Sequence, residues 1–328
     1  MIPFEYIRSS SIETAIENNS KANDASFIAG GTNLVDLMKR GVTAPGKIID
    51  INPLPLNDIL ITKLKAPRIG ALVTNSRVAD AMAIREEYPL LSLAIKAGAS
   101  QQIRNVATTA GNMLQRTRCP YFYDTVTPCN KREPGSGCSA LKGYNRMHAI
   151  FGAGNSCIAV HPSDMCVALA ALDPDVIIKS HTSERTVKFT DFHTLPGNTP
   201  YKDNVLNKGE LITHIQLHPS SFQKNVSYLK VRDRSSYAFA LISVAAALEI
   251  KNGVIHNARL AMGGVAHKPW RLFGAEQSLK GMPANESSFK HAADIAMKGA
   301  VGYGYNNFKL RMAPKTIVQS LKQAAGIA

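Results

Sequence analysis

In the stretch Phe27-Ile28-Ala29-Gly30-Gly31-Thr32-Asn33-Leu34, a short apolar run passes through two glycines into a segment whose apolar residues recur at helical spacing. The pattern predicts a buried strand at residues 26–29 and a helix over residues 34–39. A turn that joins a strand to a helix start presents free backbone N–H groups and a positive dipole end, which favour an anion such as a phosphate. The same glycines also suit a plain tight connection that needs a positive φ. This first glycine turn, residues 30–33, therefore needs support from a second feature.

That support comes from a second glycine turn, Thr108-Thr109-Ala110-Gly111-Asn112, which is rich in hydroxyl groups. Two such turns far apart in the chain can bind the two ends of one dinucleotide. Two better-known nucleotide motifs are excluded. Gly152-Ala153-Gly154 is not followed by the last glycine of a Rossmann fingerprint, and the P-loop spacing at residues 41–47 ends before Ile48, where a hydroxyl is required.

Four of the five cysteines lie between the second glycine turn and His161-Pro162-Ser163-Asp164. They are Cys119, Cys129, Cys138 and Cys157, and nine, eight and eighteen residues separate them. Zinc sites usually pair ligands roughly two to four residues apart, and the chain contains no CxxC. Four widely spaced thiolates suit an iron–sulfur cluster, although zinc, disulfides and inert thiols remain open on spacing alone. We interpret Cys166, in a predicted apolar helix, as a small buried hydrophobe.

The segment that carries these cysteines, residues 114–157, has little periodic apolar pattern. We call it the cysteine insert. A segment of this length without a core of its own needs a cross-link or a bound metal to hold it in a compact domain, and the cysteines are the residues that can provide one. Five basic residues beside the cysteines would stabilise an anionic cluster, unless they form a solvated basic loop: Arg116, Arg118, Lys131, Arg132 and Arg146.

The composition narrows the class of protein. The chain has 328 residues with 38 Lys and Arg against 24 Asp and Glu, a formal charge of +14. This charge favours anionic ligands, an acidic partner or nucleic acid, but the absence of a long basic run argues against a nucleic-acid tail. We see no signal-peptide pattern and no apolar stretch of the ~18 residues that span a bilayer, which predicts a soluble chain without membrane insertion. Clustered cysteines, odd in number, then favour metal or redox use over a disulfide framework.

Two later segments complete a resemblance to a known family. They are Lys230-Val231-Arg232-Asp233-Arg234 and Gly263-Gly264-Val265-Ala266. With the two glycine turns, they resemble the FAD-binding subunit of the molybdenum hydroxylases, the xanthine dehydrogenase and CO dehydrogenase family, over essentially the whole chain. Most members lack a cysteine insert. Around Arg116-Thr117-Arg118-Cys119-Pro120-Tyr121-Phe122-Tyr123-Asp124 the chain is similar to the bacterial aldehyde oxidoreductases, a subset that carries one.

The resemblance implies a role for each motif. Backbone donors of Ala29, Gly30, Gly31, Thr32, Asn33 and Leu34 would wrap the FAD pyrophosphate, and Phe27 and Ile28 before them would also belong to the cofactor site. The second would hold the ribityl phosphate and the flavin side, through Thr108, Thr109, Gly111 and Asn112. Asp164 would hydrogen-bond near the isoalloxazine, unless it only caps a helix. Lys230 would stabilise the anionic reduced ring, unless it is ordinary surface charge. The four cysteines of the insert would ligate a [4Fe-4S] cluster.

The fold implied is α+β. A two-part FAD-binding domain of the vanillyl-alcohol-oxidase (PCMH) type would occupy residues 1–222, with subdomains at about 1–58 and 59–222. A smaller α+β domain of the CO dehydrogenase flavoprotein type would follow at residues 223–328. Helices are predicted at residues 89–103, 286–299 and 314–325, and a long apolar segment at 237–250 is predicted to cross a core.

The function implied is electron transfer within an oxidoreductase, with no catalytic residue in this chain beyond its FAD. A large molybdopterin subunit would oxidise an aldehyde to a carboxylic acid. A small [2Fe-2S] subunit would complete the heterotrimer, and the flavin would pass electrons to an external acceptor. The complex would be periplasmic by co-export with a partner, or cytoplasmic. The alternatives are a medium subunit of a 4-hydroxybenzoyl-CoA reductase-like enzyme and a zinc-stapled basic protein that binds nucleic acid.

Overall fold

The structure is a computed structural model that describes residues 1–63 and 65–327. Three sheets follow one another along the chain, and each carries helices on at least one face. Both glycine turns lie in the part of the chain that forms the first two sheets. The third sheet is formed by the C-terminal part of the chain.

The first sheet is small and parallel. Its strands are β1 (Glu5–Arg8), β2 (Ala25–Ile28) and β3 (Lys47–Asp50), in the order β1-β3-β2. Helix α1 (Ile12–Lys21) begins at Ser11, which forms a capping box with Thr14. Helix α2 (Leu34–Lys39) follows the first glycine turn, as the sequence predicts.

The second sheet has five strands in antiparallel pairs. In the order β4-β5-β8-β6-β7 it combines β4 (Ile59–Ile61), β5 (Pro67–Gly70), β6 (Asp175–Lys179), β7 (Glu184–Lys188) and β8 (Leu211–Gln216). The helices of this part are α3 (Asn75–Asp80), α4 (Met82–Glu87), α5 (Pro89–Ala97), α6 (Gln101–Arg104), α7 (Thr109–Met113), α8 (Pro120–Tyr123), α9 (Asp164–Leu172) and α10 (Phe189–Phe192), with a 3-10 turn at Ser139–Leu141. Helix α9 is buried from Asp164 to Ala171 and packs against α5, so it forms the centre of this core.

The third sheet is antiparallel, in the order β12-β11-β10-β9. Its strands are β9 (Val226–Val231), β10 (Ile242–Lys251), β11 (Val254–Gly263) and β12 (Trp270–Arg271), and its helices are α11 (Phe273–Leu279), α12 (Glu286–Ala296) and α13 (Phe308–Ala325). Strand β10 is buried on both faces, since Ala245 and Ala247 join the core around α9 whereas Val244 and Leu248 join the core under α11 to α13. A strand covered on both sides reads as a continuous apolar run, which explains why this segment is recognisable in the sequence.

Four sequence-based boundaries are wrong. The helix predicted over residues 286–299 ends at Ala296. The helix predicted over residues 89–103 ends at Ala97, because Gly98 is extended and Ala99 has a φ of 49°. The helix predicted from residue 314 begins at Phe308, so Pro314 lies inside it and not at its first turn. The apolar segment predicted from residue 237 becomes a strand only at Ile242. The predicted domain limits at residues 58 and 222 fall between sheets and stay predictions.

Candidate functional site

The first glycine turn is shaped by close backbone packing. Gly31 has a φ of 69°, a left-handed conformation that side chains disfavour. A Cβ on Gly30 would lie 2.1 Å from the carbonyl oxygen of Val106. Both positions therefore require glycine. The close approach of Gly30 to Val106 also places the first turn against the segment that leads into the second glycine turn.

The second glycine turn begins helix α7. The Thr108 hydroxyl accepts a hydrogen bond from the Gly111 N–H at 3.3 Å, and the Thr109 hydroxyl donates to the Val73 carbonyl at 2.9 Å. These two hydroxyls are therefore engaged in the chain's own structure. Two buried histidines brace the end of α7, since His161 Nε2 and His193 Nε2 lie 3.2 and 2.9 Å from the Met113 carbonyl oxygen.

Sequence reasoning missed His193, which has no motif around it. Burial lowers the pKa of His161 to about 4 and that of His193 to about 3, so both rings are neutral at pH 7. Their ligand atoms and the Cys166 sulfur lie within 4.8 Å of one another. The shared bond to Met113 accounts for both histidines as supports of the second glycine turn. Cys166 is fully buried, as the sequence predicts.

Asn33 links the first turn to the start of the cysteine insert. Its Oδ1 accepts a hydrogen bond from the backbone N–H of Arg116 at 2.8 Å. Its Nδ2 is buried and has no hydrogen-bond partner within residues 1–63 and 65–327. A buried donor without a partner is costly unless a ligand or water satisfies it. Asn112, in the other turn, accepts hydrogen bonds from Ser163 Oγ at 2.6 Å and Gln115 Nε2 at 2.7 Å.

Asp164 and Lys230 form a buried ion pair next to the second turn. Lys230 Nζ lies 2.7 Å from Asp164 Oδ2, and the two side chains are 4% and 8% exposed. The Tyr228 hydroxyl donates to Asp164 Oδ1 at 2.7 Å, and Lys230 also donates to the Ala97 carbonyl at 3.1 Å. The helix cap is Ser163 and not Asp164, because its hydroxyl accepts the hydrogen bond from the Cys166 N–H at 3.0 Å. Lys230 is not surface charge, and its charge is balanced by Asp164.

The cysteine insert brings four sulfurs to one cavity. Cys119, Cys129, Cys138 and Cys157 all line it, with Phe122 and Lys131 among the other walls. Cys129 and Cys138 face each other across an isolated β-bridge, and all five cysteines are free. Phe122 and Cys129 also form a small core with Leu37 of α2, so the insert packs on the helix that follows the first glycine turn.

Three of the four thiols have a shifted pKa. Burial raises the pKa of Cys119 to about 12. A hydrogen bond from Cys157 lowers the pKa of Cys138 to about 6, and the same bond raises that of Cys157. A bound metal replaces the thiol protons, because the thiolate is the ligand form.

The basic residues of the insert are neither a solvated loop nor free cations. Asp203 pairs with Arg116, whose Nε lies 2.8 Å from Oδ2, and with the buried Nζ of Lys131. Burial alone would raise the pKa of Asp203, but Lys131 and Arg116 together lower it to about 2. The remaining three residues are also engaged: Arg118 with Asp36 and Tyr123, Arg132 with the carbonyls of Tyr121, Phe122 and Thr127, and Arg146 with Asp233. These ion pairs and hydrogen bonds stabilise the insert, in addition to what the cysteines contribute.

Known families match both halves of the chain. Residues 2–219 match the FAD binding domain in molybdopterin dehydrogenase, and residues 227–302 match the CO dehydrogenase flavoprotein C-terminal domain. The chain belongs to the FAD-binding subunits of the molybdenum hydroxylase family. It is therefore an oxidoreductase subunit that binds FAD.

Individual relatives agree with this assignment. The aldehyde oxidoreductase FAD-binding subunit PaoB of Escherichia coli K12 is 46% identical over 99% of both chains. The glyceraldehyde dehydrogenase medium chain of Sulfolobus acidocaldarius is 28% identical over 90% of this chain and 86% of its own. The carbon monoxide dehydrogenase of Hydrogenophaga pseudoflava has the same fold, with a TM-score of 0.78, 22% identity and full coverage of both chains. The predicted fold class is thus confirmed. Within the described residues, no helix is both long and apolar enough to cross a membrane.

Gly30→Ala is expected to weaken FAD binding by this chain at least ~tenfold. The new Cβ would collide with the backbone oxygen of Val106 and push the first turn away from it. The measurement is FAD per polypeptide after desalting, followed by titration of the apoprotein with FAD. Gly154→Ala is the matched control, since its Cβ would meet nothing within 4 Å. Equal FAD affinity in the two variants would show that the first turn does not contact the cofactor.

Proposed function

We propose that this chain is the FAD- and [4Fe-4S]-containing electron-transfer subunit of a molybdenum-dependent aldehyde oxidoreductase. The observation that carries the proposal is that four cysteines from an insert line one cavity. The chain in which they do so is 46% identical to PaoB, which is named as an aldehyde oxidoreductase subunit. The archaeal relative is likewise named for an aldehyde substrate.

The donor set and the sequence spacing of the cysteines support a cluster. Zinc sites usually pair ligands roughly two to four residues apart, whereas nine, eight and eighteen residues separate these four cysteines. A four-iron core is a larger object with one thiolate per iron. The donor set, four cysteines in a buried and otherwise protein-bonded loop, fits such a core.

The two glycine turns and the ion pair form the proposed flavin site. Backbone N–H groups of the first turn and the unpartnered Nδ2 of Asn33 would bind the phosphates of FAD. The second turn, with Asp164 and Lys230 beside it, would lie at the flavin end. FAD and the cluster supply the electron exchange when bound, and the polypeptide positions them.

The proposed complex is a heterotrimer with a large molybdopterin subunit and a small [2Fe-2S] subunit. Electrons from aldehyde oxidation would leave through this chain to an external acceptor, and the net charge of +14 suits an acidic partner or acceptor. Either the periplasm, reached by co-export with a partner, or the cytoplasm is compatible with this arrangement. In a 4-hydroxybenzoyl-CoA reductase-like enzyme, electrons would instead enter through this chain and pass to the molybdopterin subunit.

The test is the iron, zinc and flavin content of anaerobically purified protein, co-expressed with its neighbouring subunits. We expect one FAD and about four irons beyond those of the [2Fe-2S] subunit, and flavin reduction when an aldehyde is added to the complex. Zinc without flavin would instead favour the basic nucleic-acid-binding alternative. A flavin that ignores aldehydes but is reoxidised by 4-hydroxybenzoyl-CoA would favour the reductase.

A further inference from the structure

A histidine contacts one of the four cysteines. Nε2 of His148 lies 3.1 Å from Sγ of Cys119. Within residues 1–63 and 65–327, no other side-chain nitrogen forms a hydrogen bond with any of the four sulfurs. The imidazole is buried, with 2% of the residue exposed. Cys119 is thus distinguished from the other three cysteines by its surroundings.

The direction of this hydrogen bond follows from the chemistry of the sulfur. A cysteine that ligates iron has no proton, so its sulfur can only accept. Nε2 is the ring nitrogen that faces this sulfur, so the contact is a hydrogen bond only when Nε2 carries a proton.

The backbone that carries this ring is held from outside the cysteine insert. The carbonyl oxygen of His148 accepts a hydrogen bond from Nζ of Lys309 at 2.8 Å, and Asn306 Nδ2 donates to the next carbonyl, that of Ala149, at 2.9 Å. Lys309 is fully buried in the first turn of α13 and also donates to the Gly264 carbonyl at 2.7 Å. These contacts fix the backbone of His148 independently of any cysteine.

We infer that His148 is a positioning residue that donates a hydrogen bond to the Cys119 sulfur and thereby raises the reduction potential of the cluster. The inference rests on the proposed function, because it needs a cluster on Cys119. A hydrogen bond to a ligand sulfur offsets negative charge, and the reduced cluster carries one more negative charge than the oxidised one. The bond therefore stabilises the reduced form more.

The experiment is an EPR-monitored redox titration of the assembled complex, with iron content measured on each sample. His148→Phe preserves a ring but has no donor, whereas His148→Gln offers a carboxamide N–H at the same place. We expect the Phe variant to keep its iron and to shift the one-electron equilibrium about tenfold towards the oxidised form, a fall in potential of about 59 mV. The Gln variant should recover at least half of this shift. An unchanged potential in an iron-replete Phe variant would overturn the inference.

A second measurement needs no substitution. In complex labelled with ¹⁵N-histidine, pulsed EPR of the reduced four-iron cluster should detect a weakly coupled ¹⁵N nucleus, and unlabelled complex, whose nitrogens are ¹⁴N, should lack this ¹⁵N signal. An absent coupling would overturn the role of His148 even if the Phe variant fails to fold. Wild-type complex that lacks about four irons beyond those of the [2Fe-2S] subunit would instead contradict the proposed function itself.

Discussion

Cys129→Ser is expected to remove about four iron atoms per complex and to leave only the iron of the [2Fe-2S] subunit. Cys129 is buried, lines the cavity and belongs to the small core with Phe122 and Leu37, so no neighbouring side chain can take its place. A serine hydroxyl is a poorer ligand than a thiolate for the iron of such a cluster. We therefore expect a cluster that loses one of its four protein ligands to be lost from the protein. Iron analysis and the visible absorption spectrum of the anaerobically purified protein measure the effect.

Cys166→Ser is the control for this loss. Cys166 is as deeply buried, but it lies in helix α9 and does not line the cavity. The control should keep both iron and FAD. If Cys129→Ser retained its iron while Cys138→Ser also did, the four cysteines would not be a ligand set. Loss of iron with FAD retained is the result that separates the two cofactor sites.

Asp203→Asn is expected to destabilise the FAD-binding part of the chain by about 3 kcal/mol. The substitution leaves Lys131, whose side chain is 2% exposed, without its anionic partner, and it removes one contact of Arg116. An unpaired buried charge is costly because the lost solvation is no longer offset. The thermal midpoint should fall by several degrees, and differential scanning fluorimetry with the flavin as probe would record it.

Glu17→Gln is the matched control, because it removes the same charge from an exposed pair. Glu17 and Lys21 lie on the surface of α1, where solvent and salt screen their attraction. No measurable change in the thermal midpoint is expected. Equal midpoints for Asp203→Asn and the wild type would mean that Lys131 and Arg116 find other partners, and that the ion pairs do not hold the insert.

Local sequence patterns were enough for some elements of the site. The first glycine turn and helix α2 are predictable because strand, glycines and helix are consecutive, and Gly31 adopts the positive φ that the turn requires. The four cysteines are visible as residue types, so their grouping could be proposed before any geometry. Strand β10 is visible because both of its faces are buried.

Other elements depend on partners that are distant in the chain. Helix α5 ends at Ala97 in part because Lys230 binds its last carbonyl and Gly98 packs against Asp164, and none of this is encoded within residues 89–103. The basic residues of the insert look like solvated charge until Asp203 is placed among them. His148 has no motif, and only the fold brings it to Cys119.

The contacts of Lys309 and Asn306 with residues 148 and 149 bear on whether the cysteine insert is a portable module. Grafting residues 114–157 onto a relative that lacks them would transfer the four thiols and His148, but not the last helix that fixes the backbone beside them. The graft would also need Asp203 to neutralise Lys131. Acquisition of such an insert therefore requires changes in three regions of the chain: the insert itself, the position of Asp203, and the segment that carries Asn306 and Lys309. A graft of the insert alone should give an unfolded loop that binds iron poorly.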